Sequence, residues 1–275
     1  MIISFRRLGK FMAVTVLLSA GAFATIAYAS HSWGGYHWAR TLNPFTLKLG
    51  NNLSGLLWPT HLTTASSDWS VSPVLDTTIV AGASKLNCRP TNGRVEVCDK
   101  NYGFNGWLGI ASIWVSGSHI TQGTVKLNDT YFNTSTYNTP AWRQFVICQE
   151  VGHTFGLDHQ DVIFDNTNLG TCMDYTNDPD GTLSGQLSNL HPNQHDYDEL
   201  GIIYQHLDAF TTVLSSVFGK KSPVPASVGN DNDIDTSNPS EWGKVIRKSS
   251  DGRSALHERD LGKGNKVFTF VIWAN

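Results

Sequence analysis

The stretch Cys148-Gln149-Glu150-Val151-Gly152-His153-Thr154-Phe155-Gly156-Leu157-Asp158-His159 gathers polar side chains at intervals suited to one metal ion. Gln149 and His153 are four apart, so on a helix they share a face and lie one turn from each other. Glu150 is offset by about 100°, where a carboxylate reaches a metal-bound water without ligating the metal. Gly156 lets the chain turn sharply and bring His159 back to the same point. Three ligands with an open fourth position is the arrangement of a hydrolytic zinc site, in which a bound water becomes the nucleophile.

This pattern resembles the metzincin zinc metalloproteases, and within them the matrixins, whose helix reads H-E-x-x-H-x-x-G-x-x-H. The Gly156-Leu157-Asp158-His159 ending is matrixin-like, and Thr171-Cys172-Met173-Asp174-Tyr175 is similar to the family's methionine turn, with Met173 placed 14 residues after His159. Tyr175 matches the position where astacin-like and serralysin-like members carry a tyrosine near the metal. The resemblance covers roughly residues 30 to 212 and is specific at 149–159 and 171–175. It implies an α+β fold: a twisted mixed sheet with an active-site helix, a Met-turn and a C-terminal helix. It also implies a secreted zinc-dependent endopeptidase. In that reading Zn(2+) is held by Gln149, His153 and His159, Glu150 is the general base, Tyr175 helps stabilise the oxyanion, and Met173 packs beneath the ion. The substrate is a peptide or protein, aligned by strand addition along an edge strand at 106–111.

The departure from the family is Gln149, which stands where the first zinc-binding histidine is expected. A neutral imidazole is a strong ligand for a borderline metal, whereas a glutamine offers only a neutral amide oxygen. Three outcomes stay open. Gln149 ligates and leaves a weaker working site; water or a remote histidine, His191 or His195, fills the place; or no zinc binds, and the chain is a catalytically impaired pseudoprotease that binds peptides or surfaces. The first is the leading expectation because Glu150 survives beside His153 and His159, and a carboxylate on the inner side of this helix is costly to keep desolvated without a role.

The elements that must position these residues can be read from periodicity. Thr139 is a good N-cap and Pro140 suits the first helical position. Trp142, Phe145, Val146, Gln149 and His153 then form one face, and Gly156 marks the helix end. A second helix is predicted from about Asn193 to Phe210, with Leu200, Ile203, Tyr204 and Leu207 as its buried stripe. Leu62, Ala65 and Trp69 lie at helical spacing. Strands are predicted at Phe45 to Leu49, Thr77 to Val80, Trp107 to Val115, Gly123 to Leu127, Lys244 to Arg247 and Lys266 to Trp273. The sheet is expected to be mainly parallel.

Residues 1–29 read as a signal peptide: Arg6, Arg7 and Lys10, an apolar run from Phe11 to Ala24, then the small-x-small signal Ala27-Tyr28-Ala29. The run is too short for a comfortable membrane span. Its removal takes away three basic residues and no acidic one, moving the formal charge from -3 to -6. A net acidic chain without a basic cluster argues against nucleic acid as partner. Residues 30–212 are expected to form the catalytic domain, and 213–275 a linker and β-rich extension of unassigned role. A monomer is expected. In an exported chain four cysteines read as two disulfides. Cys88 and Cys98 flank an Asn92-Gly93 hairpin signal that would place them opposite each other, and Cys148 and Cys172 remain as the second pair. Asp174, Asp178 and Asp180 with Gly181 offer hard oxygen donors of the kind calcium takes, but their spacing departs from a complete calcium loop and fits an ordinary polar turn better.

Overall fold

A computed structural model describes residues 31–83, 87–213 and 234–274; the signal-peptide reading of 1–29 and most of the predicted linker lie outside the described residues. Alternation of Phe45, Leu47 and Leu49 with outward-facing Thr46 and Lys48 makes strand β2 (Phe45–Asn52), after a two-residue strand β1 (His37–Trp38). Trp58, Leu62, Ala65 and Trp69 recur at helical spacing and form the buried stripe of α1 (Leu57–Trp69). Then follow β3 (Leu75–Ala81), β4 (Val95–Lys100), β5 (Trp107–Ser116), β6 (His119–Asn128), a one-turn helix α2 (Asp129–Phe132), α3 (Pro140–His153) and α4 (Gln194–Ile203). The chain ends with β7 (Lys244–Lys248), β8 (Ser254–Gly262) and β9 (Asn265–Trp273).

The strands form one sheet in the order β3-β2-β4-β6-β5-β9-β8-β7, with β1 beside β6. The expectation of a mixed α+β fold holds, but only the β3-β2-β4-β6 half, with β1, is parallel; from β6 through β5, β9 and β8 to β7 every pairing is antiparallel. Helix α1 packs on α3 and β3, and α3 packs on β5 and β6, so the main core lies between these helices and the sheet. Strands β7 to β9, from beyond residue 212, extend this sheet within one compact unit, His31–Asn275.

Strand β5 is buried along nearly its whole length. Leu108, Ala111, Ile113 and Val115 face the main core, while Trp107 and Ile110 join Trp242 and Val271 in a second small cluster on the other face. Both faces and both edges of β5 are therefore covered. The predicted free edge at 106–111 is corrected here: β9 pairs along it, with Ile110 opposite Val271 and Ala111 opposite Phe270. On this side the sheet ends at β7 instead, exposed and carrying Lys244, Arg247 and Lys248, charges that discourage further pairing.

Two local readings also change. The helix predicted to run to Phe210 stops at Ile203, because Arg40 Nη2 takes the carbonyls of Tyr204 and His206 and turns the chain away. Cys88 and Cys98 form a disulfide, Cα to Cα 5.9 Å, without the predicted hairpin. Strand β4 lies between parallel partners β2 and β6, and the Gly93 N–H donates to the Thr121 carbonyl at 2.8 Å. Cys148 and Cys172 form the second disulfide, Cα to Cα 6.0 Å. Among the described residues no helix is long and apolar enough to cross a membrane.

Candidate active site

Helix α3 starts where the sequence places it: the Thr139 hydroxyl accepts from the Trp142 N–H at 3.2 Å, and Pro140 is the first helical residue. Thirteen residues later the helix ends, having carried Gln149, Glu150 and His153 into the interior, all three fully buried. The chain then reverses at Gly156, whose φ is +97° and whose hydrogen faces the Tyr36 carbonyl; a Cβ there would meet that oxygen at 2.2 Å. Gly156→Ala is expected to destabilise the fold by about 2–4 kcal/mol, from left-handed strain and a backbone clash together. Thermal unfolding should show a drop in Tm of roughly 5–15 °C for a domain of this size.

The reversal brings His159 against His153, with their Nε2 atoms 3.2 Å apart. His153 Nδ1 donates to the Leu157 carbonyl at 2.9 Å, so in the neutral ring Nε2 presents a lone pair towards His159. Two zinc-bound nitrogens at the usual metal–nitrogen distance in a tetrahedral site stand about 3.3–3.4 Å apart, close to the 3.2 Å of this pair. Burial holds His153 down to about 3 and outweighs the Leu157 carbonyl; burial, with His153 and Arg247 nearby, keeps His159 well below the usual imidazole range. Burial pushes the Glu150 carboxyl well above the usual carboxylate range, offset only in part by the Ala111 backbone N–H. Imidazoles held uncharged keep their ring lone pairs available to a cation.

Gln149 lies beside the Met-turn. Its Nε2 donates to the Cys172 carbonyl at 2.7 Å and more weakly to that of Asp174 at 3.3 Å, which fixes the amide orientation because carbonyls only accept. Gln149 Oε1, both Glu150 oxygens and His159 Nδ1 are buried without a hydrogen bond of normal geometry. Buried polar atoms of this kind are uncommon in a folded interior, where a bound ion or water usually satisfies them. The His153–His159 nitrogen pair suits a zinc-like divalent cation, whereas the Gln149 amide is turned to the Met-turn carbonyls and its oxygen is a weaker kind of donor. Room for Glu150 comes from Gly109 on β5, where a Cβ would lie 2.5 Å from Glu150 Oε1.

The lower loop is tied beneath this pair. The Gln160 N–H donates to the Met173 carbonyl at 2.6 Å and the Tyr175 N–H to that of Asp161 at 3.1 Å, while the Met173 side chain is fully buried in the main core. Tyr175 lies with its ring 5.8 Å from that of His159, but its hydroxyl donates to the Arg253 carbonyl. Asp158 Oδ1 accepts from the His159 N–H at 2.7 Å, and Oδ2 pairs with Arg247. His191 is engaged by Asp68 at 2.7 Å, and His195 packs edge-on against His31, so the structure gives both of these remote histidines other partners. The Asp174 and Asp178 carboxylates accept from Leu169, Asn189 and Ser184, and Asp180 from Thr182, as a hydrogen-bonded turn would have them.

Several neighbours of the site were not legible as such. Phe270 of β9 stacks on the His153 ring at 3.9 Å with the planes 2° apart, and meets the His159 ring edge-on at 5.2 Å. The Arg247 guanidinium also lies over the Phe270 ring, 5.6 Å from its centroid. His31 Nδ1 donates to the His159 carbonyl of the same loop at 2.7 Å. A separate cluster, His37, His206 and Asp208, is the one group of three such donors that converges among the described residues. Its only sequence trace is the His206-Leu207-Asp208 spacing.

No protein-family model and no curated protein matches the chain. Two solved structures of myroilysin are similar at 11% sequence identity and a TM-score of 0.34; one covers 60% of this chain and 82% of that chain, the other 61% and 86%. A likeness that distant carries no argument about function, which rests on the side chains themselves.

Proposed function

We propose that this chain is an exported zinc-dependent endopeptidase in a latent form, with its own C-terminal hairpin lying where a peptide substrate would bind. The observation that carries the reading is the His153–His159 pair, Nε2 to Nε2 3.2 Å, with Glu150 fully buried three residues before His153 on α3. His153, His159 and Gln149 Oε1 would hold the ion, and Cys148–Cys172 fixes the start of this set against the Met-turn. Bound zinc supplies a Lewis acid that brings a water's pKa towards neutrality. Glu150 would take a proton from the attacking water and deliver it to the leaving amine, and burial, which raises its pKa, suits the carboxyl to both transfers. Tyr175 would donate to the developing oxyanion once its hydroxyl left the Arg253 carbonyl.

Latency follows from β9. A metallopeptidase of this kind would align its substrate antiparallel to β5, and β9 already runs antiparallel there, with Phe270 on His153. Two disulfides fit an oxidising compartment, in keeping with the signal-like start of the sequence. The alternative, a peptide- or surface-binding module without catalysis, is favoured by one observation: the Gln149 amide is engaged by the Met-turn carbonyls and leaves a weak donor for zinc.

Zinc affinity separates the two. Gln149→His is expected to tighten zinc at this centre by about tenfold or more, a gain of about 1.4 kcal/mol or more, in competition with a chromophoric chelator. Equal affinities in the two chains would mean that residue 149 does not face the ion, and would favour the binding module.

A further inference from the structure

We propose a second metal site, for a zinc-class divalent cation, formed by His37 Nε2, His206 Nε2 and Asp208 Oδ1 on the N-terminal side of the sheet and separate from the His153–His159 centre. His37 Nε2 is 3.2 Å from His206 Nε2 and 3.5 Å from Asp208 Oδ1, and His206 Nε2 is 3.7 Å from the same oxygen. Donors on a tetrahedral zinc stand about 3.3–3.5 Å from one another, so the three atoms outline one face of such a site.

The tautomer of His37 strengthens the assignment. Its Nδ1 lies 2.9 Å from the Gly35 carbonyl oxygen, which only accepts, so Nδ1 carries the proton and Nε2 is a lone pair in the neutral ring. That lone pair faces a carboxylate oxygen, an arrangement that is repulsive in the neutral ring unless a metal cation or a second ring proton lies between them. The other carboxylate oxygen, Oδ2, is held by the Arg40 backbone N–H and by Nη1, each at 3.1 Å, which orients Oδ1 towards the histidines. His119 Nε2 is 3.1 Å from Oδ1 and supports it from the outside.

The fold builds this cluster from three segments. Pairing of β1 with β6 sets His37 beside His119. The loop after α4, with His206 and Asp208, is clamped to residues 39 and 40 by the Asp208 N–H on the Arg40 carbonyl and the Thr212 N–H on the Ala39 carbonyl, each 2.9 Å. His37 is buried and the Asp208 side chain is only 8% exposed, so two of the three donors are already held in place. Trp38, next to His37, donates its indole N–H to the Thr154 carbonyl at 2.9 Å, so an ion here would brace the segment that backs the α3 reversal.

The test compares bound zinc in the wild-type chain and in His206→Ala, a side chain about half exposed (52%), whose removal leaves the buried framework in place. After equilibration at low micromolar free zinc and removal of excess, the wild type is expected to hold one equivalent more than the variant. Because the result is a difference between chains with the same His153–His159 centre, it does not depend on whether that centre holds zinc. Crystals of the wild type grown with zinc and measured at the zinc edge are expected to show an anomalous peak within bonding distance of His37 Nε2, His206 Nε2 and Asp208 Oδ1. Equal equivalents in the two chains, or crystals without a peak between these atoms, would overturn the proposal and leave the cluster as a hydrogen-bonded network closed by protons.

Discussion

Cutting the chain within residues 220–233 and diluting the product is expected to raise peptide hydrolysis by about 10²–10⁴-fold, the range by which a tether multiplies a local contact. In the intact chain β9 is presented to β5 intramolecularly, and a free peptide must compete with a strand it cannot outnumber. Once cut, β7 to β9 form a separate piece whose occupancy falls with concentration. What the substrate must displace is specific. It is the antiparallel pairing from Trp107–Trp273 to Ser116–Asn265, the Phe270 ring on His153 and the Arg247–Asp158 ion pair. Burying a Phe side chain alone contributes about 1.5–3 kcal/mol. The check is hydrolysis of a quenched fluorescent peptide library, with dissociation of the C-terminal piece followed by size-exclusion chromatography. Phe270→Ala in the uncut chain should move activity in the same direction by opening the space over the two imidazoles. A cut protein that has lost its C-terminal piece, stays folded, binds zinc and still cleaves nothing would sink the latent-enzyme reading in favour of a binding module.

How far the sequence discloses this molecule depends on how local each feature is. Helix α3 is local: Thr139, Pro140 and the stripe through His153 fix its start, face and length without reference to the rest of the chain. The approach of His159 to His153 is nearly local too, since Gly156 sets the reversal and only Tyr36 must come close. The end of α4 is not, because Arg40, more than 160 residues earlier, takes the carbonyls that would have continued it. Strand β8 escaped the pattern for a related reason. Ser254 to His257 is buried on both sides, so the alternation that marks a half-exposed strand is missing. Phe270 over the imidazoles required the register of β9 on β5, and a shift of one residue would have turned it to the opposite face. The His37, His206 and Asp208 cluster draws on segments that meet only in the folded sheet. The chemistry of the candidate centre was thus legible because it sits on one helix and one turn; what covers it and what braces it were not.

In the cut and diluted protein, Glu150→Gln is expected to lower kcat by about 10²–10⁴-fold, the usual share of a positioned general base, while zinc content and Tm stay close to those of the parent. The substitution keeps the size of a side chain that is packed against Gly109 and fully buried, so it tests proton transfer and not packing. It also removes a group whose ionised form is disfavoured by burial, so the fold has no reason to lose stability. A structural role for Glu150 would give the opposite pattern, a lower Tm with activity falling only in proportion to unfolded protein. Steady-state kinetics separates the cases further. A lost base lowers kcat and kcat/KM together, whereas a residue that only shapes the cleft raises KM. If Glu150→Gln cleaved at the parental rate, the proton would have to move through another group, and no other carboxylate on α3 is available to carry it.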